Sequence, residues 1–248
     1  MIGRAFPKTD TGLRAVPAKI EIRRRVLEAI TPARAMVFDA FAGTGQMWAE
    51  VWQHAAGYVG CDERWHKDAR CCFVADNRRV LRCLNLQPFT IFDLDAYGSP
   101  WEQALILAAR RRLAPRERLG LVLTEGTWTK TRMGNGWPGA LRQAVGIAPH
   151  VAAVQHGLTQ TMHDDLIHRA VRAIARQMQG QLVRQWRAIG MTGTRMRYLG
   201  LILEGIKRPG AALDAGGSFQ LDRAGDQPPQ KPSPWTHHGP RNQRQARP

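Results

Sequence analysis

The chain has 248 residues, of which 44% are hydrophobic and 23% are charged, which is ordinary for one globular α/β domain with a sizeable core. Its formal net charge is +16, because 36 Lys and Arg outnumber 20 Asp and Glu. A field of that sign speeds encounter with phosphate backbones, so we expect nucleic acid as a partner. The alternative is that the arginine content reflects the base composition of the gene or general solubility.

The same sequence argues against several other classes of protein. No apolar run approaches the roughly 20 residues that a membrane span needs, and no apolar leader opens the chain, so a cytoplasmic protein without a membrane partner is expected. The cysteines at positions 61, 71, 72 and 83 lack CxxC spacing, which indicates neither a disulfide framework nor a zinc site. The histidines show no metal-ligand spacing either, so no metal is expected.

In chain order, the first predicted element is a helix over residues 17–30, where apolar residues recur at helical spacing. Four short apolar runs follow, at 35–38, 58–62, 72–76 and 88–95, and each run ends at or beside an aspartate. Separated by helix-length segments, they predict parallel strands whose carboxylates gather at one edge of a sheet. Open α/β sheets bind their ligands at that edge.

The second half predicts a helix over 101–113, a strand over 119–124 and a Gly- and Pro-rich loop over 126–139. Thr161 with Asp164 resembles a capping box that starts another helix. Runs 182–189 and 196–203 predict an antiparallel hairpin. The predicted fold is therefore α/β and Rossmann-like, with about seven mostly parallel strands, a C-terminal antiparallel hairpin and helices on both faces.

This organisation predicts a domain over residues 16–206, preceded by an N-terminal extension over 1–15. Residues 207–248 are rich in Pro, Gly and Gln and carry seven basic and three acidic residues, so a disordered basic tail of net charge +4 is expected. The other 206 residues retain +12.

The most informative turn follows the first predicted strand, at residues 38–45, FDAFAGTG. Gly43 and Gly45 allow the backbone to approach a ligand closely. A dinucleotide site would need a third glycine where Trp48 stands, and the Lys-Ser/Thr of a P-loop is absent. The stretch resembles motif I of class I S-adenosylmethionine-dependent methyltransferases. That resemblance implies S-adenosylmethionine as the cofactor, with Asp39, Phe41, Gly43 and Gly45 bordering its methionine part.

The same resemblance assigns roles to the acids after the next strands. Asp62, which ends the second strand, corresponds to the acid that holds the ribose hydroxyls, and Asp76 with Asn77 corresponds to the contact with the adenine amino group. Asp93 joins this predicted cofactor-binding set. The alternative for Asp62 and Asp76 is that each caps the helix that follows its strand.

A second motif, residues 92–100, reads FDLDAYGSP. It resembles motif IV of exocyclic-amine methyltransferases, and more closely the D-x-D-P-F-G-S-P string of the tRNA guanine-26 N2-dimethyltransferase family, with Ala96 in place of a proline. The resemblance implies methylation of adenine N6 or guanine N2 in DNA or RNA, with Asp95 accepting an N–H of the amine and Tyr97 stacking on the extruded base. The alternative is a plain turn with a solvated acid.

Three other functions stay open, and a fourth is disfavoured. The sequence has no counterpart of the large C-terminal domain of that tRNA family, so a compact prophage-type DNA or RNA modification enzyme fits equally well. A nucleic-acid-binding module with a degenerate methyltransferase fold and a small-molecule methyltransferase are the alternatives. The sequence does not fit a cytosine C5 methyltransferase, because that reaction needs a cysteine nucleophile after the fourth strand and no cysteine follows Cys83.

Several further residues are weaker candidates. Glu125, Trp128 and Trp137 are candidates for lining a base pocket, although tryptophans are as often loop anchors. Histidines such as His163 are expected at the surface or in caps. Three arginine clusters are candidates for contacts with a nucleic-acid backbone, and each is also typical of a solvated helix face. These clusters are Arg23-Arg24-Arg25, Arg110-Arg111-Arg112 and Arg169/Arg172/Arg176.

Overall fold

The computed structural model describes residues 15–67, 69–128, 131, 136–148, 156–189 and 196–206. These residues form one seven-stranded sheet with helices packed on both of its faces. The strands are β1 (Met36–Asp39), β2 (Gly57–Asp62), β3 (Cys72–Val74), β4 (Ile91–Leu94), β5 (Arg118–Glu125), β6 (Gly180–Ile189) and β7 (Arg197–Gly205). The helices are α1 (Val16–Ile30), α2 (Gln46–Glu50), α3 (Asn77–Cys83), α4 (Trp101–Arg110), α5 (Gly139–Ala144) and α6 (His156–Gln177).

The strand order is β3-β2-β1-β4-β5-β7-β6. Strands β1 to β5 pair in parallel, and β7 is antiparallel to both β5 and β6. The predicted fold class, including the terminal hairpin, is confirmed. Because β1 lies between β2 and β4, the carboxyl ends of these three strands are adjacent, and Asp39 is in register with Asp93.

Two apolar clusters hold the layers together. On one face, α4 and α6 pack against β4, β5 and β7 through residues such as Leu107, Ile174 and Leu201. On the other face, α1 lies across β4, β5 and β7 with Val26 and Ile22 fully buried, as its helical periodicity predicts. Helix α1 thereby reaches the carboxyl end of β4, which matters for the site.

Three predicted elements differ from the observed ones. The helix-length segment after the glycine turn divides into α2 and a 3-10 turn, Trp52–His54, because Trp52 turns inward and is completely buried. Helix α6 begins at His156, so Thr161 lies inside it and the capping-box interpretation was wrong. Helix α5 begins at the end of the segment predicted as a loop.

The N-terminal extension up to residue 14 and the tail from residue 207 lie outside the described residues. So does most of the hairpin loop, 190–195. Within the described ranges, no helix has the length and apolar character needed to cross a membrane.

Candidate functional site

A cleft of about 600 Å³ lies at the carboxyl edge of the parallel strands. It collects residues from α1, from the turn after β1, from the end of β2 and from the loop after β4. Six of the predicted site residues line it, namely Phe41, Gly43, Asp62, Asn77, Asp95 and Tyr97. The other four residues of the predicted set are not among the cleft-lining residues of the described chain, namely Asp39, Gly45, Asp76 and Asp93.

The glycine turn, residues 39–45, forms one wall of the cleft. Gly43 and Gly45 have φ values of 48° and 90°, in the left-handed region that favours glycine. The Asp62 carboxylate accepts hydrogen bonds from the backbone N–H of Gly43 and of Arg64, each at 2.9 Å. Asp62 is therefore no helix cap, and it ties the end of β2 to the glycine turn while facing the cleft.

Arg70 supports this turn from outside and was missed by the sequence analysis. Its guanidinium donates to the carbonyl oxygens of Ala42 and Gly43, at 2.9 and 2.7 Å. A Cβ atom on Gly45 would lie only 2.9 Å from the same guanidinium. No sequence signal distinguishes Arg70, because it lies outside every motif in a chain with 36 Lys and Arg.

Asp39 lies beneath the glycine turn. Its carboxylate accepts from the backbone N–H of Phe41 and from the Tyr58 hydroxyl, both at 3.1 Å. Burial, reinforced by the nearby Asp93 carboxylate, raises the pKa of Asp39 to about 8. The position of Asp39 makes it a support for the turn rather than a wall of the cleft.

Asp76 and Asn77, at the start of α3, have different roles: Asp76 caps the helix and Asn77 lines the cleft. Asp76 is the N-cap of α3, because its side chain accepts from the Arg78 backbone N–H at 2.9 Å. For Asp76 the structure therefore shows the capping alternative. The Asn77 amide donates to the Ala40 carbonyl at 2.9 Å and accepts from Gln103 at 3.0 Å, which holds it at the cleft wall.

Asp93 is completely buried, in a paired contact with Arg23 of α1. Arg23 donates to both carboxylate oxygens, at 2.6 and 2.8 Å, and the Trp52 indole N–H donates at 2.9 Å. Burial lowers the pKa of Arg23, but the nearby carboxylates of Asp93 and Asp95 raise it by more, so this pKa lies above its ordinary value. This geometry corrects two predictions: Asp93 is an ion-pair partner rather than a cofactor contact, and Arg23 is unavailable to nucleic acid.

Asp95 lies two residues further on and faces the cleft. Lys19 Nζ and Arg23 Nη2 each lie 3.0 Å from its Oδ2 atom, and its side chain is 13% exposed. Burial favours the neutral acid, but the Arg23 and Lys19 cations outweigh it, and the pKa of Asp95 falls below its ordinary value. Asp95 is thus a carboxylate at neutral pH. Lys19 was missed, although its i,i+4 spacing from Arg23 on a face shared with Ile22 was a usable signal.

The Asp95 loop, residues 95–100, is closed by backbone hydrogen bonds. The Ala96 N–H donates to the Leu94 carbonyl at 2.9 Å, a bond that a proline at this position could not make. The Gly126 N–H, just after β5, donates to the Gly98 carbonyl at 2.7 Å. Tyr97 lies between Ala96 and Gly98 in this loop, and its side chain is 68% exposed. The replacement of the family's proline by Ala96 is therefore accompanied by a hydrogen bond that constrains the same turn.

Behind this loop lies a buried polar cluster around Glu125. Its carboxylate lies 3.1 Å from His163 Nε2 and accepts from the Thr127 backbone N–H at 2.8 Å. The Arg197 guanidinium lies 4.6 Å above the Trp128 ring. His163 is fully buried, which corrects its predicted surface position. Glu125 and Trp128 are not among the described cleft-lining residues, and Trp137 belongs to the apolar core.

Of the three arginine clusters, only the one on α6 is exposed at all three positions, while Arg24 and Arg25 are exposed beside the buried Arg23. Arg111 is buried against Gln87 and Glu117, and Arg110 donates to the carbonyl oxygens of Leu81 and Leu84, so these two side chains have structural contacts, while Arg112 is exposed. The side chains at 169, 172 and 176 are exposed on α6, where Arg169 pairs with Asp165 at 2.8 Å.

No protein-family model matches the chain, and no curated protein does. Solved structures of similar fold include the N-methyltransferase NodS from Bradyrhizobium japonicum WM9 in complex with S-adenosyl-L-homocysteine, at 11% identity, a TM-score of 0.49, and 83% and 94% coverage of this chain and that one. An rRNA methylase from Streptococcus thermophilus matches at 13% identity, a TM-score of 0.42, and 76% and 97% coverage.

Trm1 from Pyrococcus horikoshii, solved with S-adenosyl-L-methionine, matches at 16% identity and a TM-score of 0.44, with 81% of this chain and 57% of that one covered. At such identities and TM-scores, these likenesses carry no argument about fold, cofactor or substrate. The strand order, with antiparallel β7 between β5 and β6, shows that the chain has the Rossmann-like fold of class I methyltransferases.

Proposed function

We propose that this protein is an S-adenosylmethionine-dependent methyltransferase that acts on an exocyclic amine of a nucleobase in DNA or RNA. The observation that carries the proposal is the placement of Asp95. This ionised acid lines the same cleft as the glycine turn and Asp62, beside the exposed ring of Tyr97.

The residues of the cleft fit the cofactor. Its volume is in the range of small-molecule sites, and the left-handed backbone at Gly43 leaves that wall without a side chain. Phe41 and Gly43 would border the methionine part, and the Asp62 carboxylate would accept from the ribose hydroxyls. When bound, S-adenosylmethionine supplies a methyl group activated by a sulfonium centre.

The chain's own contribution to the chemistry centres on Asp95. An exocyclic amine is a poor nucleophile because its lone pair is delocalised into the ring. The Asp95 carboxylate accepts one N–H of the amine, which concentrates the lone pair on nitrogen, and it can take the proton that the methylated amine loses. Tyr97, on the same loop, stacks on the extruded base and orients it.

The charge of the protein favours a nucleic acid over a small neutral substrate. Residues 1–206 retain +12, and the exposed Arg64 lies at the rim of the cleft itself. A phosphate backbone gains affinity from such a surface without any sequence contact. A small-molecule substrate would leave this charge without a role. The degenerate-module alternative rests on Ala96, and the hydrogen bond from its N–H to Leu94 weakens that argument.

The first experiment is a calorimetric titration of the purified protein with S-adenosylmethionine. We expect the wild type to bind S-adenosylmethionine. We expect the affinity of Asp62→Ala to be lower by roughly tenfold or more, because the ribose hydroxyls lose a charged acceptor. Absence of binding to the wild type would reject the cofactor.

The second experiment supplies methyl-labelled cofactor with separate pools of DNA, tRNA and rRNA, followed by mass spectrometry of the nucleosides. We expect label on an N-methylated base. Label confined to protein or small molecules would reject the substrate class. Wild-type protein that binds duplexes with a steep salt dependence but transfers no methyl group would favour the binding module.

A further inference from the structure

We infer that Lys19 reads the ring nitrogen next to the methylated amine, so that the site selects bases that present an N–H donor beside a nitrogen acceptor. This inference rests on the proposed function. It assigns to the Asp95–Lys19 pair a choice of adenine or cytosine over guanine.

The pair places an acceptor and a donor side by side in the cleft. Lys19 Nζ lies 3.0 Å from Asp95 Oδ2, and both residues line the cleft together with Tyr97. An ammonium group carries three N–H donors, so Lys19 can donate to more than one acceptor at a time.

The second cation of α1 shows that Lys19 is not needed merely to keep the acids ionised. Arg23 already contacts both Asp93 and Asp95, and it is completely buried. Lys19 lies one turn nearer the N-terminus and reaches the cleft wall, where a substrate can contact it. One cation of the helix is thus structural, and the other faces the ligand space.

The edges of the bases differ in how they match this pair. Adenine presents N6–H beside the N1 acceptor, and cytosine presents N4–H beside the N3 acceptor. Either edge gives its N–H to Asp95 and accepts from Lys19. Guanine presents N2–H beside N1–H, so the ammonium would oppose a donor. Its N3 acceptor lies on the other side of the amine, next to the sugar.

A hydrogen bond at the ring nitrogen withdraws electrons from the base and does not make the amine a better nucleophile. The effect of Lys19 is therefore expected in the binding of the base and in KM rather than in kcat. This separates Lys19, as a specificity-determining residue, from Asp95.

The test measures equilibrium binding of single-stranded thymine oligonucleotides that carry one adenine, one 1-deazaadenine or one guanine, with S-adenosyl-L-homocysteine present. 1-Deazaadenine lacks only the N1 acceptor. We expect the wild type to prefer adenine over 1-deazaadenine by roughly tenfold, the size of a hydrogen bond to a charged group, and to discriminate against guanine similarly. In Lys19→Met the adenine to 1-deazaadenine ratio should fall to about one.

Two controls keep the result specific. Arg34→Met removes one exposed positive charge just before β1, away from the cleft. It should weaken the binding of all three oligonucleotides by the same factor. Lys19→Arg, which keeps donors and charge, covers the case in which Lys19→Met unfolds; it should retain part of the adenine preference.

An adenine to 1-deazaadenine ratio near one in the wild type, or an unchanged ratio in Lys19→Met, would overturn the inference. Methyl transfer to the same oligonucleotides with S-adenosylmethionine is recorded separately. A binding preference without transfer would count against the proposed reaction and still support the reading of the base by Lys19.

Discussion

The two walls of the cleft are held in different ways. The glycine turn is supported by side chains from β2, from the loop after β2 and from α3, as in the bond from Gly43 to Asp62, 19 residues away. The Asp95 loop is held by Lys19, 76 residues earlier, and by the backbone of Gly126 after β5. The first wall is thus a nearly local structure, whereas the second depends on two distant elements, α1 and the segment after β5.

The largest expected effect concerns the chemistry of the second wall. In Asp95→Asn the side chain keeps its shape but loses the charge and half of its acceptor capacity. We expect kcat for methyl transfer to fall by roughly 10² to 10⁴, with the Kd for S-adenosylmethionine changed less than about threefold. Transfer of labelled methyl to nucleic acid and calorimetry give the two numbers.

Glu102→Gln, an exposed acid at the start of α4, is the matched control and should leave kcat unchanged. A fall in cofactor affinity as large as the fall in kcat would show that the two walls do not act separately.

The same contrast explains what could be predicted from the sequence. The parallel strands follow from apolar runs that end on acids, the hairpin from two strand-like runs around a Gly-containing loop, and the glycine turn from its own residues, and each of those patterns is local. Asp62 and Asp95 were found because they belong to such patterns. Lys19, Arg23 and Arg70 were not assigned to the site, because their partners become neighbours only when α1 and the loop after β2 pack on the sheet.

Asp93 and Asp95, which are two residues apart, also show that local patterns do not reveal contacts with distant elements. Both close one predicted strand, and the sequence analysis placed both in the site, Asp93 as a cofactor contact and Asp95 as the acceptor for the amine. Alternation along a strand places them on the same face, but Asp93 lies within β4 and meets Arg23, whereas Asp95 follows the strand and reaches the cleft. The division of roles is set by how deeply each acid lies, which α1 and Trp52 determine.

The second prediction tests the support that α1 gives to the second wall. Arg23→Met leaves Asp93 as a buried charge without its partner, so we expect the free energy of unfolding to fall by about 3–5 kcal/mol. Urea denaturation followed by circular dichroism measures it. The double variant Arg23→Met/Asp93→Asn removes that buried charge and should recover part of the loss. Equal stability of the single and double variants would contradict the ion-pair argument.

The third prediction compares one glycine from each wall. Gly45 and Gly98 both have left-handed φ, of 90° and 106°, but a Cβ meets Arg70 at Gly45 and nothing within 4 Å at Gly98. We expect Gly45→Ala to weaken S-adenosylmethionine binding by roughly tenfold, because backbone strain and displacement of Arg70 combine. Gly98→Ala, which bears only the strain, should leave cofactor binding within about threefold and act mainly on transfer. Calorimetry and labelled transfer, applied to both variants, give the comparison; the reverse pattern would break it.

The smallest expected effect concerns Asp39, beneath the first wall. Because its pKa is about 8 in the folded protein and roughly 3.9 in an unfolded chain, the folded state keeps a proton that the unfolded state loses between these values. The stability from this group is complete below about pH 4 and is lost as the pH rises through 8. Asn at this position keeps an acceptor for the Phe41 N–H and cannot ionise.

We therefore expect the free energy of unfolding of Asp39→Asn, relative to that of the wild type, to rise by about 1 kcal/mol or more between pH 5.5 and pH 8.5. Urea denaturation of both proteins at both pH values measures it. A difference between the two proteins that does not change with pH would mean that Asp39 is ionised throughout, and that Arg23, rather than burial, dominates its surroundings.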